Sequence, residues 1–162
     1  MLAFAAIPAV LWESCTAYID VGHGLFAGLG LWFAAKAVEE PKVAEWRWLS
    51  GIGLGLAMGS KYTGLQTLAV ALLVLGLGLL LAKRFRDGVR AVALVGVVAT
   101  LIAAPWYAKN LAWTGNPVFP FFYERFGGRN WSQIQADVYR DEQQSFGLGR
   151  PASGGEWSEF GG

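Results

Sequence analysis

The chain has one cysteine and one histidine. A lone Cys15 excludes an internal disulfide and a cysteine-based zinc site, and leaves the thiol the ordinary role of a small buried hydrophobe. With His23 the single imidazole, a metal centre lacks the ligand cluster it needs. The Walker-type GxxxxGK(S/T), the GxSxG elbow and HExxH are all missing, so soluble nucleotide or hydrolase chemistry has no support. An excess of one charge is missing too: 13 basic against 12 acidic residues give a formal net charge of +1, which removes the electrostatic footprint of a nucleic-acid binder. The apolar opening, residues 1–11, carries no basic n-region and no small-residue cleavage pattern, so it does not read as a secretory signal. It reads as the end of a helix whose beginning lies upstream, and the glycine-rich tail 151–162 ends without a terminal element. The expectation is an internal fragment of a larger polytopic protein.

What the chain does have is apolar length. Of its 162 residues 54% are hydrophobic and 14% aromatic, and the mean hydropathy is +0.39; a water-soluble surface rarely allows that combination. Apolar runs lie at about 1–12, 21–38, 48–59, 65–82 and 91–108, and three of them reach the roughly 18 residues that cross a bilayer. The expected fold is all-α: a polytopic transmembrane helix bundle over 1–113, followed by a partly irregular extracytoplasmic segment over 114–162. Run 48–59 is short for a span and would rely on Trp46, Trp48, Lys61 and Tyr62 as interfacial anchors. The rows Gly24-xxx-Gly28 and Gly51-xxx-Gly55-xxx-Gly59 let helix backbones approach closely. Residues 137–144 (DVYRDEQQ) suggest a short polar helix outside the membrane.

Orientation follows from the basic loops. Lys36, Lys42 and Arg47 flank one inter-run loop, and Lys83, Arg84, Arg86 and Arg90 flank another; both belong on the cytoplasmic side. The turn at Tyr18–Asp20, the turn at Ser60–Gly64 and the chain from Lys109 onward then share the opposite face. At 104–123 the last run meets a segment stiffened by Pro105, Pro117 and Pro120 and rich in aromatic anchors, the composition of a membrane–water boundary. The last helix is expected to stop there, near Ala108.

On that face Lys61 stands first. A charge at mid-bilayer costs roughly 2.5–3.5 kcal/mol and far less at a helix end. It can snorkel as an anchor or supply a cation for a lipid-linked phosphate, with Ser60, Tyr62 and Thr63 as donors. Asp20 precedes an apolar run and can cap that helix or act as an acid toward an acceptor. Glu13 lies seven residues earlier, on the same face if the segment is helical. His23 is placed to bond Asp20 on the first helical turn. Lys109 is a second candidate phosphate ligand, and Asn110 can cap the helix end. Asn130-Trp131-Ser132 matches the N-glycosylation acceptor pattern.

Taken in order, 7–20 (IPAVLWESCTAYID), 55–65 (GLAMGSKYTGL), 104–110 (APWYAKN) and 114–121 (TGNPVFPF) resemble the middle of a GT-C membrane glycosyltransferase, on the bacterial branch related to aminoarabinose transferases and protein O-mannosyltransferases. The likeness runs from Ile7 to about Gly149, through 126–132 (FGGRNWS) and 145–149 (SFGLG). It implies a multi-pass enzyme of the bacterial inner membrane that passes a sugar from a polyprenyl-phosphate donor to a glycan, lipid or protein acceptor on the extracytoplasmic face. By the resemblance Asp20 is an accessory acid, and Lys61, Tyr62 and Lys109 bind the donor phosphate. Glu13, Tyr18, Asn110 and Asn116 border the donor and acceptor cavity. The family's general base falls upstream of Met1, so this piece alone is expected to be inactive. No cofactor is implied, and a divalent metal is left open. Two other readings use the same residues: a permease or flippase for a lipid-linked or small solute, and a non-catalytic membrane subunit. A permease expects polar side chains along a path through the helices. Runs 65–82 and 91–103 hold little beyond Gln66, Thr67 and Thr100.

Overall fold

A computed structural model describes Pro8 and residues 19–146. Every regular element among the described residues from Asp20 onward is a helix: α1 (Asp20–Glu39), α2 (Glu45–Ser60), α3 (Thr63–Leu81), α4 (Phe85–Thr114), α5 (Tyr123–Phe126) and α6 (Gln133–Phe146). Of these α1, α3 and α4 are long and apolar enough to cross a membrane, as a membrane protein requires. Contacts divide the chain into two compact units, Met1–Ala108 and Lys109–Gly162, with the boundary inside α4.

In the first unit α1 ends where Lys36 pairs with Glu39 and Glu40 and Pro41 follows, a residue that cannot continue the hydrogen-bond ladder. α2 ends when Lys61 leaves helical geometry at φ −151° and ψ 143°. Small residues let the helices meet. A methyl group at Gly53 would lie 3.0 Å from the Cα and N of Gly30, and Ser50 Oγ donates to the Gly30 carbonyl at 2.9 Å in the same buried seam. Gly51 and Gly55 take the side chains of Val98 and Ile102 from α4. Gly24, Gly28 and Gly59 have open space where a Cβ would stand. The row at Gly24–Gly28 is therefore not the packed one; close approach happens two residues later, at Gly30, because that residue faces Leu54.

Leu68, Ala71, Leu75 and Leu79 of α3 and Ala91, Val95, Ala99 and Ala103 of α4 complete the core, each series repeating at three or four positions as one buried helix stripe must. The remaining surface of α3 exposes Val70, Leu73, Val74, Leu77, Leu80 and Leu81. From Val70 to Leu81 the exposed positions are all valine or leucine, which suits hydrocarbon rather than water.

α4 departs from expectation. It continues through Pro105 to Thr114 instead of stopping near Ala108. Proline lacks one N–H and its ring crowds the preceding turn, but its fixed φ is helical, and Lys109, Asn110, Leu111 and Ala112 carry the ladder onward. At 30 residues the helix is about 45 Å long, more than the roughly 30 Å hydrocarbon core of a bilayer.

The second unit starts with the end of α4, where Gly115 turns the chain at φ +78°, a conformation glycine adopts without a Cβ penalty. α6 opens on a reciprocal capping box. Ser132 Oγ accepts from the Gln135 N–H at 3.3 Å, and the Ser132 N–H donates to Gln135 Oε1 at 2.8 Å. The segments 115–122 and 127–132 between helices are irregular, as expected for this part of the chain.

Candidate functional site

The first unit has two poles of different chemistry. Val38 of α1 packs on Gly78 of α3 at one end, the end that carries Lys36, Lys42, Arg47, Lys83, Arg84, Arg86 and Arg90. At the other, the start of α1 meets the α2–α3 corner. There the Lys61 ammonium donates to the Asp20 carboxylate, a pair whose side chains stay 44% and 39% exposed. An ammonium has three N–H donors, so a half-exposed lysine with one carboxylate partner still has donors to offer an anion.

Why Lys61 sits there is local. The Lys61 N–H still donates to the Ala57 carbonyl at 3.1 Å, but its ψ turns the chain out of α2, and Gly64 presses against the backbone of Ala57 and Met58, with no room for a methyl group. The tight α2–α3 corner thus presents residues 60–63 beside the first turn of α1. Ile19 is the N-cap of α1 and gives it no side-chain bond. Asp20 is already the first helical residue and spends its carboxylate on Lys61 rather than on capping.

His23 is wired differently from expectation. It does not bond Asp20; its Nδ1 lies 3.2 Å from the Ala57 carbonyl and 3.1 Å from Ser60 Oγ, and its Nε2 lies 3.1 Å from Thr63 Oγ1. A carbonyl only accepts, and the Ser60 hydroxyl proton is already given to Ala57 at 2.8 Å, so Nδ1 carries the hydrogen. The Thr63 hydroxyl can then donate to Nε2 of a neutral ring. One residue one turn into α1 therefore ties the hydroxyls on both sides of Lys61. The sequence shows Ser60 and Thr63 flanking the lysine, but no local spacing links them to a histidine some 40 positions away.

Tyr62, expected near the donor phosphate, stacks edge-on against Tyr107 with ring centres 6.1 Å apart, and the Tyr107 hydroxyl donates to the Met58 carbonyl at 3.4 Å. Lys109, Asn110 and Asn116 belong to the second unit. Lys109 Nζ lies 5.5 Å from the centre of the Trp113 ring. Asn110 is buried in the helix and does not cap its C-terminus, because α4 runs one turn further; its carbonyl accepts from the Thr114 hydroxyl at 2.7 Å. Asn116 is fully buried. Its amide donates to the Phe121 and Gly127 carbonyls at 2.9 and 3.1 Å, and its Oδ1 accepts from the Val118 N–H at 2.9 Å. It holds the 116–127 segment together. Glu13, Tyr18 and Cys15 lie outside the described residues, and among the described residues no group of three or more His, Cys, Asp or Glu could hold a metal.

Sequence reasoning did not find the cleft of the second unit, about 520 Å³ between residues 120–125 and α6. The interleaved aromatic and charged residues of 121–126 and 137–142 were the signal available for it. No family model, no curated protein and no solved structure matches the chain.

Proposed function

We propose that this chain is the membrane-embedded part of a glycosyltransferase that takes sugar from a polyprenyl-phosphate donor, with Lys61 holding the donor phosphate. The observation that carries this reading is the Asp20–Lys61 pair, a half-exposed ammonium anchored at the end of an apolar helix unit. A leaving phosphate in a poorly solvated cleft needs a fixed cation against the charge that develops on it. Lys61 supplies that charge, and Asp20, its carboxylate partner at the same corner, is the accessory acid. The basic residues of the opposite pole favour the cytoplasmic side, which puts the Asp20–Lys61 corner on the outer face of a bacterial inner membrane.

A permease is supported less well. The Thr67 and Thr100 hydroxyls donate back to the Thr63 and Gly96 carbonyls of their own helices at 3.3 and 2.8 Å, which leaves each only its acceptor lone pairs for a polar path. A non-catalytic subunit would need no phosphate site at all, and binding discriminates it. With the chain reconstituted in lipid nanodiscs, polyprenyl phosphate should bind, Lys61→Ala should weaken it by about tenfold or more, and Lys61→Arg should keep most of it. Equal binding by Lys61→Ala and the parent chain would remove Lys61 from the phosphate site.

A further inference from the structure

The cleft of the second unit has the features of a ligand site rather than a packing defect. Its size falls in the range that encloses a small molecule, and it combines apolar walls with a few polar groups. Phe121 and Tyr139 form one wall, ring centres 5.8 Å apart and nearly edge-on. Arg140 closes another, held at 2.7 Å by Glu124 and at 3.6 Å by Asp137. Arg125 also lines the cleft, is exposed, and makes no ion pair among the described residues.

Two further facts mark the cleft. The Tyr139 hydroxyl has no hydrogen-bond partner among the described residues, whereas the neighbouring Tyr123 hydroxyl donates to the Trp131 carbonyl at 2.8 Å. Phe122, also in the lining, is 71% exposed and sits in the left-handed region at φ 53° and ψ 37°. Bulky side chains rarely adopt that geometry, and such residues concentrate where a ligand is handled.

We infer that this cleft binds a saccharide bearing one anionic group, with Arg125 taking the anion, the rings of Phe121 and Tyr139 covering a sugar face, and the Tyr139 hydroxyl and Glu124 meeting sugar hydroxyls. A guanidinium matches a carboxylate or phosphate through paired N–H donors. Arg140, already neutralised by two carboxylates, serves as a wall. Aromatic rings provide flat apolar area at little entropic cost, which suits the C–H face of a pyranose. That the ligand is a saccharide rests on the transferase reading; that it is anionic rests on Arg125 alone.

The test uses the full chain in nanodiscs and equilibrium dialysis against four probes: a trimer of galacturonic acid, a hexose phosphate, an uncharged galactose trimer and inorganic phosphate. One of the two charged saccharides should bind about tenfold more tightly than both the uncharged trimer and inorganic phosphate, and which one it is tells sugar carboxylate from sugar phosphate. Arg125→Gln should lose that preference, Arg125→Lys should retain part of it, and Tyr139→Phe should weaken binding about threefold. Polyprenyl-phosphate binding is read with Lys61→Ala and saccharide binding with Arg125→Gln, so a failed polyprenyl-phosphate assay and a failed saccharide assay are separate results. Overturning results are absence of saccharide binding, neither charged saccharide binding more tightly than the uncharged trimer, inorganic phosphate binding as tightly as the saccharides, or an unaffected Arg125→Gln variant whose thermal unfolding matches the parent.

Discussion

Asp20 and Lys61 stand 41 positions apart in sequence and form an ion pair that joins the first turn of α1 to the end of α2. Both side chains are about two-fifths exposed, so water screens the pair, and its worth to stability is at most about 1 kcal/mol. Its consequence is for binding: the carboxylate competes with any phosphate for the same ammonium.

Asp20→Asn should therefore shift the thermal unfolding midpoint little, in line with a loss below about 1 kcal/mol, and should bind polyprenyl phosphate at least as tightly as the parent chain. Thermal unfolding and lipid binding measured on one preparation check both parts. Weaker phosphate binding by Asp20→Asn would mean that Asp20 positions Lys61 more than it competes with phosphate for it.

The seam between α1 and α2 makes an opposite pair of glycine predictions. A methyl group at Gly53 meets the Gly30 backbone at 3.0 Å and the Phe26 carbonyl at 3.2 Å, neither of which can give way. Gly53→Ala should cost about 1–3 kcal/mol. Gly28→Ala, in open space on α1, should be neutral or stabilise by up to about 1 kcal/mol through helix propensity. Circular dichroism melts of the two variants in one detergent decide whether packing or propensity governs these glycines.

Asn116→Ala would leave two carbonyls and one N–H inside the second unit without their partner. Each lost neutral bond is worth about 0.5–1.5 kcal/mol, and more when the orphaned group stays dry, so a local loss of about 2–4 kcal/mol is expected. Hydrogen exchange should speed up across 116–127 and stay unchanged in α2 and α3. Uniform acceleration over the whole chain would show that the segment does not open on its own.

Burial first, and the nearby Glu142 second, raise the Tyr139 phenol above its ordinary value of 10.0. A raised folded value favours the neutral form in the native state, so its contribution is fully present below about pH 10 and is lost as pH rises through the folded value. The parent should lose stability faster than Tyr139→Phe from about pH 10 upward, and the two should run parallel between pH 6 and 9. Urea midpoints across that range measure the difference, and parallel curves throughout would mean that burial does not act on this phenol.

Much of the helical order could be read from hydropathy alone. Runs 21–38 and 65–82 correspond to α1 and α3 within two residues at each end, because a stretch of apolar residues with no internal proline leaves the backbone no alternative in an apolar medium. Lys61 was legible as a helix-end residue for the same reason: it is the one charge between two apolar runs. Pro105 misled. A proline in sequence marks a helix stop, yet here the helix absorbs one missing bond and proceeds to Thr114. Asn110 followed the same error, displaced from a helix end into the helix interior.

The sequence by itself determined the helical class, the apolar length of α1, α3 and α4, and the separation of basic loops from the Lys61 corner, since these follow from composition and order along one chain. Only the tertiary structure decided that Lys61 pairs with Asp20, that His23 spans Ser60 and Thr63 instead of bonding Asp20, that Gly30 rather than Gly28 is the tight contact, and that Arg125 and Tyr139 share a cleft. Each of those depends on which face of a helix meets which neighbour. A shift of one residue turns a side chain by 100° around the helix axis, and the local sequence does not encode what waits on the other side.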